Sequence, residues 1–406
     1  MRTILSYSQS WLEEHNALFT AEEIAHQPRL WRELYRELES SAAQWQPFLS
    51  SLLVKPDLQI ILCGAGSSAF IGKAMAPWLR EHCGLDVYAY ASTDIVPTPW
   101  QYLEKQRPTL LVSYARSGNS PESVGAIELA DQLAGDIYHL ILTCNPDGAL
   151  THYVKAKRAE GKNNACSLIM PKGSHDRSFA MTSSFSCMTL ATLLLLGKLD
   201  FVRAGKSVEK MATLCEKCFS EWLPRVQKVS QSGFSRMVAL GSGCFTGIAE
   251  EGALKMLELT AGEVATRFDS TLGVRHGPKF MIDENTLVVV MLSEEAYCRR
   301  YDIDLLNELK HDELAKQIIP LSSLPLSGAV ELNSRLSDIW LMFPYLIFFQ
   351  LLAFNTSLTY GLSPDNPCPT GEVNRVVKGV QLYPYQQQNN NRSEYVCSKH
   401  IDDPNR

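Results

Sequence analysis

A long run of basic residues is missing from this chain of 406 residues, whose formal net charge is −6. Nucleic acids and anionic membranes attract clustered positive charge, so both are disfavoured as partners. The first residues, MRTILSYSQSWLEEHN, lack the apolar stretch and the small-residue cleavage site of a signal peptide. The eleven cysteines follow no regular spacing, which favours reduced thiols over a disulfide framework. We therefore expect a cytoplasmic protein.

The sequence also has little that indicates a membrane span or a metal site. The most apolar segment, residues 339–354, is short for a membrane span and contains a proline and a glutamine, so it is predicted to be a buried core helix. Cys215 and Cys218 form a C-x-x-C motif, but no second pair stands nearby in the sequence. Because a structural zinc site needs four ligands, the sequence predicts no metal site.

Residues 1–47 show the pattern of amphipathic helices. Apolar side chains fall at helical spacing along part of this segment: Leu30, Trp31, Leu34, Tyr35 and Leu38. The segment is predicted to be a lid, a packing arm or an oligomer contact. After it, strands and helices alternate along the chain, which is typical of an α/β fold with a parallel sheet.

The α/β pattern occurs twice. A strand, a glycine-rich turn and a helix over residues 58–79 recur over residues 236–257, and Gly64 and Gly241 lie 177 positions apart (241 − 64 = 177). The next strands, 109–115 and 286–292, show the same offset (286 − 109 = 177). We therefore predict two tandem domains, each a mainly parallel sheet flanked by helices. Their predicted extents are 48–212 and 213–383, with a join near residues 200–230 and a polar tail at 384–406.

Residues 113–124, SYARSGNSPESV, place four serines between a predicted strand and a predicted helix. Ser120 is placed as the N-cap and Pro121 at the first helical position, where free N–H groups and the positive end of the helix dipole attract anions. The hydroxyls of Ser117, Ser120 and Ser123 would add neutral donors, and Arg116 would supply charge. This pattern predicts a phosphate site, although an ordinary capped helix after a solvated turn is the alternative.

Two further features favour the phosphate site. The turn GAGSS, residues 64–68, ends the preceding strand, and the carboxyl ends of adjacent parallel strands meet in one crevice. In the second half, Glu294 and Glu295 stand where the first half has its serines, and they would repel a phosphate. GAGSS is not a G-x-G-x-x-G motif, because Ala69 replaces the third glycine, and it is not a Walker A motif. A dinucleotide site is therefore a minor alternative.

A candidate acid–base set lies in the second half. Glu251, Lys255 and Glu258 are spaced i, i+4 and i+7 and so share one helical face. The buried side of this helix is predicted from its apolar residues: Ala253, Leu254 and Leu257. His276 follows in a loop bounded by glycine and proline. The alternative is an exposed salt-bridged stripe, but beside a phosphate these groups would move protons and neutralise an oxyanion.

The tandem halves and the motifs GAGSS, SYARSGNSPES and EEGALKMLE…RHGP resemble the sugar isomerase (SIS) domain family. The second set is similar to the isomerase half of glucosamine-6-phosphate synthase. The whole chain, including DRSFAMTSSFSCM and DNPCPTGEVNRVVKGV, resembles the AgaS-type galactosamine-6-phosphate deaminase/isomerases, long labelled tagatose-6-phosphate ketose/aldose isomerases. The resemblance covers about residues 45–383.

The resemblance implies roles for individual residues. Side chains of the first half would hold the sugar phosphate: Ser67, Ser68, Arg116, Ser117, Ser120 and Ser123. In the second half, Glu258 would move the proton between C1 and C2 and His276 would open the sugar ring, with help from Lys255 and Glu251. Three weaker candidates for contacts with the sugar are Arg177, Ser178 and Lys378. In the synthase the histidine crosses a subunit interface, which implies a homodimer or larger homo-oligomer with a shared site.

The activity that the resemblance implies is conversion of galactosamine 6-phosphate to tagatose 6-phosphate and ammonia, in N-acetylgalactosamine catabolism. No metal or redox cofactor is expected, because the carbonyl next to C2 acidifies its proton. Three alternatives stay open: a non-deaminating ketose/aldose isomerase, a glucosamine-6-phosphate deaminase, and a sugar-phosphate-sensing regulator. The regulator is the least favoured, because the sequence shows no basic recognition helix.

Overall fold

The computed structural model describes residues 2–377 and 379–386. The chain begins with a short antiparallel ladder and four helices. These elements are β1 (Thr3–Ile4), β2 (Tyr7–Ser8), α1 (Gln9–Glu14), α2 (Leu18–Ala25), α3 (Gln27–Ser40) and α4 (Ala42–Leu52). Helix α3 is amphipathic as predicted, since four of its apolar side chains are buried: Leu30, Trp31, Leu34 and Leu38.

The first half of the chain forms a five-stranded sheet in which every pairing is parallel, with strand order β4-β3-β5-β6-β7. Its elements are β3 (Gln59–Gly64), α5 (Ser67–Cys83), β4 (Asp86–Ala91), α6 (Ser92–Ile95), β5 (Pro108–Ala115), α7 (Pro121–Leu133), β6 (Asp136–Thr143), α8 (Ala149–Ala159), β7 (Ala165–Ile169) and α9 (Ser183–Leu196). A single 3₁₀ turn, Pro99–Gln101, precedes β5.

The second half repeats this arrangement, with strand order β12-β11-β10-β8-β9 and parallel pairings throughout. Its elements are α10 (Phe201–Ser230), β8 (Arg236–Leu240), α11 (Phe245–Leu259), β9 (Ala265–Asp269), β10 (Thr286–Met291), α12 (Ala296–Asp312), β11 (Gln317–Ser322), β12 (Val330–Glu331) and α13 (Asp338–Thr359). Both sheets follow the order second, first, third, fourth, fifth strand. The prediction of two tandem, mainly parallel α/β domains is confirmed, and the predicted join near 200–230 is the continuous helix α10.

The strands are almost continuously apolar because helices cover both faces of each sheet. Every residue of β3 and of β10 is buried. Within the described part of the chain, α13 is the one helix that is long and apolar enough to cross a membrane. Its most apolar stretch is entirely buried inside the protein. The segment 339–354 is therefore part of a core helix, as predicted.

The N-terminal helices connect the two halves. Trp31 on α3 donates its indole N–H to Ser186 on α9 (2.9 Å) and packs edge-on against Phe343 on α13, with ring centroids 5.3 Å apart. Gln27 donates to the side chain of Gln350 on α13 (2.7 Å). Of the three roles considered for this segment, the contacts fit a packing arm.

Helices α5 and α11 cross closely and join the halves a second time. A Cβ atom on Gly247 of α11 would lie 2.5 Å from the backbone nitrogen of Ala74 on α5, so only glycine permits this approach. Lys73 on α5 pairs with Glu250 on α11 (2.7 Å). The crossing brings the first turn of α5 next to the side chains of α11.

The chain that follows α13 returns to the first half. The main-chain oxygen of Asp365 accepts a hydrogen bond from the N–H of Phe179 (3.1 Å), in the loop between β7 and α9. Leu382 packs over Gly125 on α7, where a Cβ atom would lie 3.2 Å from its nearest methyl carbon. The predicted second domain, residues 213–383, thus includes residues near its end that contact the first half.

Candidate active site

The site lies where the strand order of the first sheet reverses. Strands β3 and β5 are neighbours, with Cys63 opposite Ser113, and their connections leave in opposite directions from this point. In open parallel sheets ligands bind in the crevice at such a switch point. Here the crevice contains two helix starts, since α5 begins at Ser67 and α7 at Pro121.

The turn before α5 requires its glycines. Gly66 has a φ of 55°, in the left-handed region, and a Cβ atom on Gly64 would lie 2.6 Å from the backbone carbon of Ser68. This tight turn places Ser67 and Ser68 in the first turn of α5, and both are buried. The predicted order of strand, glycine-rich turn and helix is therefore observed here.

The turn before α7 contains the predicted serine cluster. Ser120 is the N-cap and Pro121 occupies the start of the helix, but the Ser120 hydroxyl donates to Ser123 Oγ (2.7 Å) and caps no helical N–H. Ser117 Oγ accepts from the backbone N–H of Asn119 (3.3 Å). Three hydroxyls are thus gathered in one loop at the positive end of a helix, which suits a phosphate.

Arg116 lies immediately beside this loop and is only 8% exposed. Its guanidinium donates to two main-chain oxygens, that of Phe179 (3.0 Å) and that of Arg375 (2.7 Å). No described carboxylate lies within ion-pair distance of it. The group is fixed in place with its charge available to a ligand.

The acid–base cluster of the second half meets this crevice through Lys255. The Lys255 amine is fully buried and donates to Ser67 Oγ across the junction of the two halves (3.1 Å). It lies 3.4 Å from a carboxylate oxygen of Glu251 and contacts the carboxylate of Glu258. Two carboxylates and one amine are therefore held next to the first turn of α5.

The buried side of α11 was predicted wrongly. Glu251 and Lys255 are fully buried, whereas Leu257 is 40% exposed and Leu254 is half-buried; of the three apolar residues, Ala253 alone is buried. The charged face is the one that packs toward α5, and its charges tolerate burial because they pair with one another. Hydrophobicity alone does not show which face meets the other half of the chain.

Burial and pairing control the proton affinity of this cluster. Burial raises the pKa of Glu251 to about 7, the Lys255 amine partly offsets this rise and Glu258 adds to it. Burial alone would lower the pKa of Lys255, but the carboxylates of Glu251 and Glu258 outweigh it and the pKa is raised. Lys255 therefore stays charged at neutral pH, while Glu251 can gain or lose a proton there.

His276 lies in an exposed loop and, among the described residues of one chain, is not bonded to the cluster. It lies between two 3₁₀ turns, Gly273–Arg275 and Pro278–Met281, and is exposed. Its imidazole makes no hydrogen bond or ion pair with any described residue. Two neighbouring apolar side chains, Leu272 and Phe280, are also exposed.

The three weaker candidates lie elsewhere. The guanidinium of Arg177 stacks on the ring of Phe19, 3.7 Å from its centroid, and Ser178 is fully buried and donates to the carboxylate of Glu23. Both side chains thus contact the N-terminal helix α2, and neither is bonded to the described residues of the Lys255 cluster. Lys378 lies outside the described residues.

Comparison with known proteins identifies the family. A family model described as SIS domain matches residues 52–197. D-galactosamine-6-phosphate deaminase AgaS of Shewanella sp. (strain ANA-3) is 44% identical over 385 residues, which cover 94% of this chain and 96% of that protein. The chain belongs to the AgaS family.

Two further comparisons agree with this AgaS-family assignment. D-galactosamine-6-phosphate deaminase AgaS of Escherichia coli is 42% identical over 380 residues, covering 91% of this chain and 96% of that one. The crystal structure of tagatose-6-phosphate ketose/aldose isomerase from Escherichia coli is 39% identical, with a TM-score of 0.83 and coverage of 91% and 97%. The resemblance noted from the motifs is confirmed.

In this AgaS-family chain the second sheet has a corresponding crevice at its own switch point, between β8 and β10. Carboxylates of the protein itself lie at this second crevice. Asp302 on α12 accepts from the backbone N–H of Ser293 (2.9 Å) and from the hydroxyl of Thr271 (3.0 Å). Asp338 accepts from the backbone N–H of Glu294 (2.7 Å). The backbone N–H groups of Ser293 and Glu294, just past the end of β10, are thus already used, which supports a single phosphate site in the first half.

Two buried acids near Arg116 were not found from the sequence. Asp176 accepts the N–H groups of Thr182, Ser183 and Ser184, each at 2.9 Å, and so caps α9. Glu23 accepts the N–H of Ser178 (3.3 Å). An aspartate followed six residues later by T-S-S is a local signal for the first, whereas nothing local indicates that Glu23 reaches the β7–α9 loop.

Glu23 provides a test of this packing through pH. Burial and the nearby Asp176 raise the pKa of Glu23 to about 8, against hydrogen bonds that lower it. The folded state therefore binds this proton more tightly than the unfolded chain does, so stability falls as pH rises from about 4.5 to about 8. The unfolding free energy of wild type is expected to decrease between these two pH values. In Glu23→Gln this decrease is expected to be smaller than in wild type by more than about 1 kcal/mol.

The measurement is urea unfolding of full-length protein at several pH values, followed by circular dichroism. Glu14→Gln, a change at an exposed residue of the same region, is the control and is expected to keep the wild-type pH profile. Parallel pH profiles for Glu23→Gln and wild type would contradict the assignment of a buried titrating acid at this position.

Proposed function

We propose that this chain is a deaminating isomerase that converts galactosamine 6-phosphate to tagatose 6-phosphate and ammonia. The observation that carries the proposal is the 3.1 Å contact from Lys255 Nζ to Ser67 Oγ. This contact supports the proposal because it joins the side chains that we propose to transfer protons to the first turn of α5. The AgaS relatives named as D-galactosamine-6-phosphate deaminases supply the substrate and the reaction. We place the reaction in the cytoplasm, in N-acetylgalactosamine catabolism.

The phosphate binds at the starts of α5 and α7. Helix dipoles and backbone N–H groups attract it, and the hydroxyls of Ser68, Ser117, Ser120 and Ser123 donate to its oxygens. Arg116 adds one full positive charge at the edge of the loop. The neutral hydroxyl donors share the binding of the anion with this single charge.

The chemistry is an aldose–ketose isomerisation followed by loss of ammonia. His276 promotes opening of the sugar ring to the aldehyde, and Glu258 then removes the proton from C2, which the C1 carbonyl acidifies. Protonation of the resulting enolamine at C1 leaves an imine at C2. Water adds to this imine, and the C2–N bond breaks to give the ketose 6-phosphate and ammonia.

The other two charged residues support Glu258. Lys255 contacts the Glu258 carboxylate and so holds the proposed base in position. The same amine stabilises negative charge that develops on the substrate oxygen. Glu251, whose pKa burial raises to about 7, exchanges a proton with the cluster near neutral pH.

The site is completed by a second copy of the chain. Within one chain His276 is exposed and forms no hydrogen bond or ion pair with the described residues of the Lys255 cluster, and Phe280 beside it is 95% exposed. An exposed large apolar side chain next to a functional residue is typical of an interface. We therefore propose a homodimer or larger homo-oligomer in which His276 serves the site of a neighbouring chain.

Product analysis tests the reaction. Galactosamine 6-phosphate is expected to yield ammonia and tagatose 6-phosphate in equal amounts, with glucosamine 6-phosphate as the competing substrate. Ammonia is measured with a coupled dehydrogenase assay and the ketose by chromatography. Ketose formation from an aldose 6-phosphate without ammonia would favour the plain isomerase named in the Escherichia coli structure and contradict deamination.

Glu258→Gln tests the base. The amide keeps the size of the side chain but cannot accept the C2 proton, so turnover is expected to fall by at least about 10³-fold. Binding of galactosamine 6-phosphate, measured by calorimetry, is expected to stay within about threefold of wild type, because the phosphate contacts are untouched. Glu263→Gln, at an exposed position past the end of the same helix, is the control. A near-normal rate in Glu258→Gln would contradict the assignment.

Co-expression tests the shared site. Chains carrying Glu258→Gln and chains carrying His276→Asn are each expected to be inactive, while a mixture assembled together recovers up to about a quarter of wild-type activity. The recovery arises because half of the dimers are mixed and each mixed dimer has one intact site. Separately tagged chains purified through both tags provide the mixed species. Inactive mixed dimers would show that each site draws both residues from one chain.

A further inference from the structure

The chain after α13 forms an ordered segment against the first half, here called the C-terminal strap (residues 361–377 and 379–386). Asp365 fixes its beginning: the carboxylate accepts the backbone N–H groups of Phe19 (3.0 Å) and Thr20 (2.7 Å) at the start of α2. The N–H of Asp365 donates to the main-chain oxygen of Asn16 (2.8 Å). The strap is therefore anchored before it reaches the site.

The far end of the strap is anchored on α7. Gln132 donates to the main-chain oxygen of Tyr385 (3.0 Å), and the ring of Tyr385 stacks on that of Trp100 with centroids 6.1 Å apart. Leu382 fills the space that Gly125 leaves on α7. Because α7 begins at the serine loop, both the strap and the proposed phosphate donors are attached to one helix.

Between these anchors the strap places Arg375 beside Arg116. The main-chain oxygen of Arg375 accepts from Arg116 (2.7 Å), and the Arg375 guanidinium donates to the main-chain oxygen of Asp176. The Nε atom of Arg375 is buried and has no acceptor among the described residues. One donor of this guanidinium is thus unused although water cannot reach it.

The two guanidinium groups lack a carboxylate partner. No described Asp or Glu oxygen lies within ion-pair distance of either arginine, and the nearby Asp176 carboxylate is used by three N–H groups at the start of α9. Burial lowers the pKa of Arg375 and the charge of Arg116 lowers it further, while the carboxylates of Asp176 and Glu23, which form no ion pair with it, offset part of this lowering. A buried guanidinium and a half-buried one that lie side by side without an ion-pair partner repel each other, and an arginine fork matches the geometry of a phosphate.

We propose that Arg375, carried by the C-terminal strap, binds the substrate phosphate together with Arg116 and closes the phosphate site from the side opposite the serine loop. This assignment rests on the proposed function for the presence of a phosphorylated substrate. The strap then supplies a second full charge to a dianion that otherwise meets neutral hydroxyls and one arginine. Neutral sugars would bind without this contribution, so the pair selects for the phosphorylated form.

Arg375→Met is the direct test, with inorganic phosphate as the probe and calorimetry as the measurement. The dissociation constant for phosphate is expected to rise by about tenfold or more, since a charge-assisted bidentate contact is lost. The matched control is Arg225→Met. Arg225 is also partly buried and donates to two main-chain oxygens, those of Ala329 and Gly328 (both 2.6 Å), but it lies outside the first half. Its removal is expected to change phosphate affinity less than about twofold.

A second measurement uses the wild-type protein and does not depend on the folding of any variant. Phenylglyoxal modifies arginine, and mass spectrometry reports the modified residues. Phosphate is expected to protect Arg375 and Arg116 and to leave Arg225 unprotected. Unchanged modification of Arg375 at saturating phosphate, or wild-type phosphate affinity in a folded Arg375→Met variant, would overturn the proposal.

The two proposals fail in different ways. Neither phosphate binding nor protection requires turnover, so protection of Arg375 in a protein that releases no ammonia from galactosamine 6-phosphate would refute the deaminase and retain the phosphate contact. Ammonia release by a protein in which phosphate does not protect Arg375 would retain the deaminase and refute the phosphate contact. For active protein, Arg375→Met is expected to raise KM about tenfold while kcat changes less than about threefold.

Discussion

The buried amine of Lys255 is the group on which the rest of the site depends. An ammonium fully removed from water costs several kcal/mol unless carboxylates and hydroxyls surround it. Glu251 and Glu258 come from its own helix, but Ser67 comes from the other half of the chain. The helices must approach closely for this contact, and Gly247 permits that approach. The packing of the two halves and the assembly of the acid–base cluster are therefore one arrangement.

The two halves share a backbone plan and differ in what fills the crevice. Both sheets have the same strand order, and both place a glycine turn and a helix start at the switch point. In the first half the crevice offers hydroxyls and an arginine. In the second half Asp302 and Asp338 accept the local N–H groups themselves. A few side chains thus separate a binding crevice from a structural one, because the backbone donors are common to both.

Local patterns predicted what is set locally. The apolar strands, the repeat at 177 positions and the start of α7 at Pro121 follow from residues close together in the chain. The exposed position of Leu257 and the burial of Ser178 against Glu23 depend on contacts between distant segments. The return of the strap to the first half likewise depends on Asp365 meeting α2. The periodic pattern of apolar residues does not indicate contacts between distant segments, so these contacts could not be predicted from the sequence.

A carboxylate that is covalently part of the chain stays at the same local concentration under all solution conditions. Asp302 remains beside its donors whatever the concentration of sugar phosphate in solution, as a tethered group does at high effective concentration. The second crevice is in this sense permanently saturated by an internal ligand. Under the proposed function, each polypeptide is therefore expected to bind one substrate molecule in spite of its two matching sheets. In the proposed homo-oligomer, any cooperativity is then expected between chains and not between the duplicated halves of one chain.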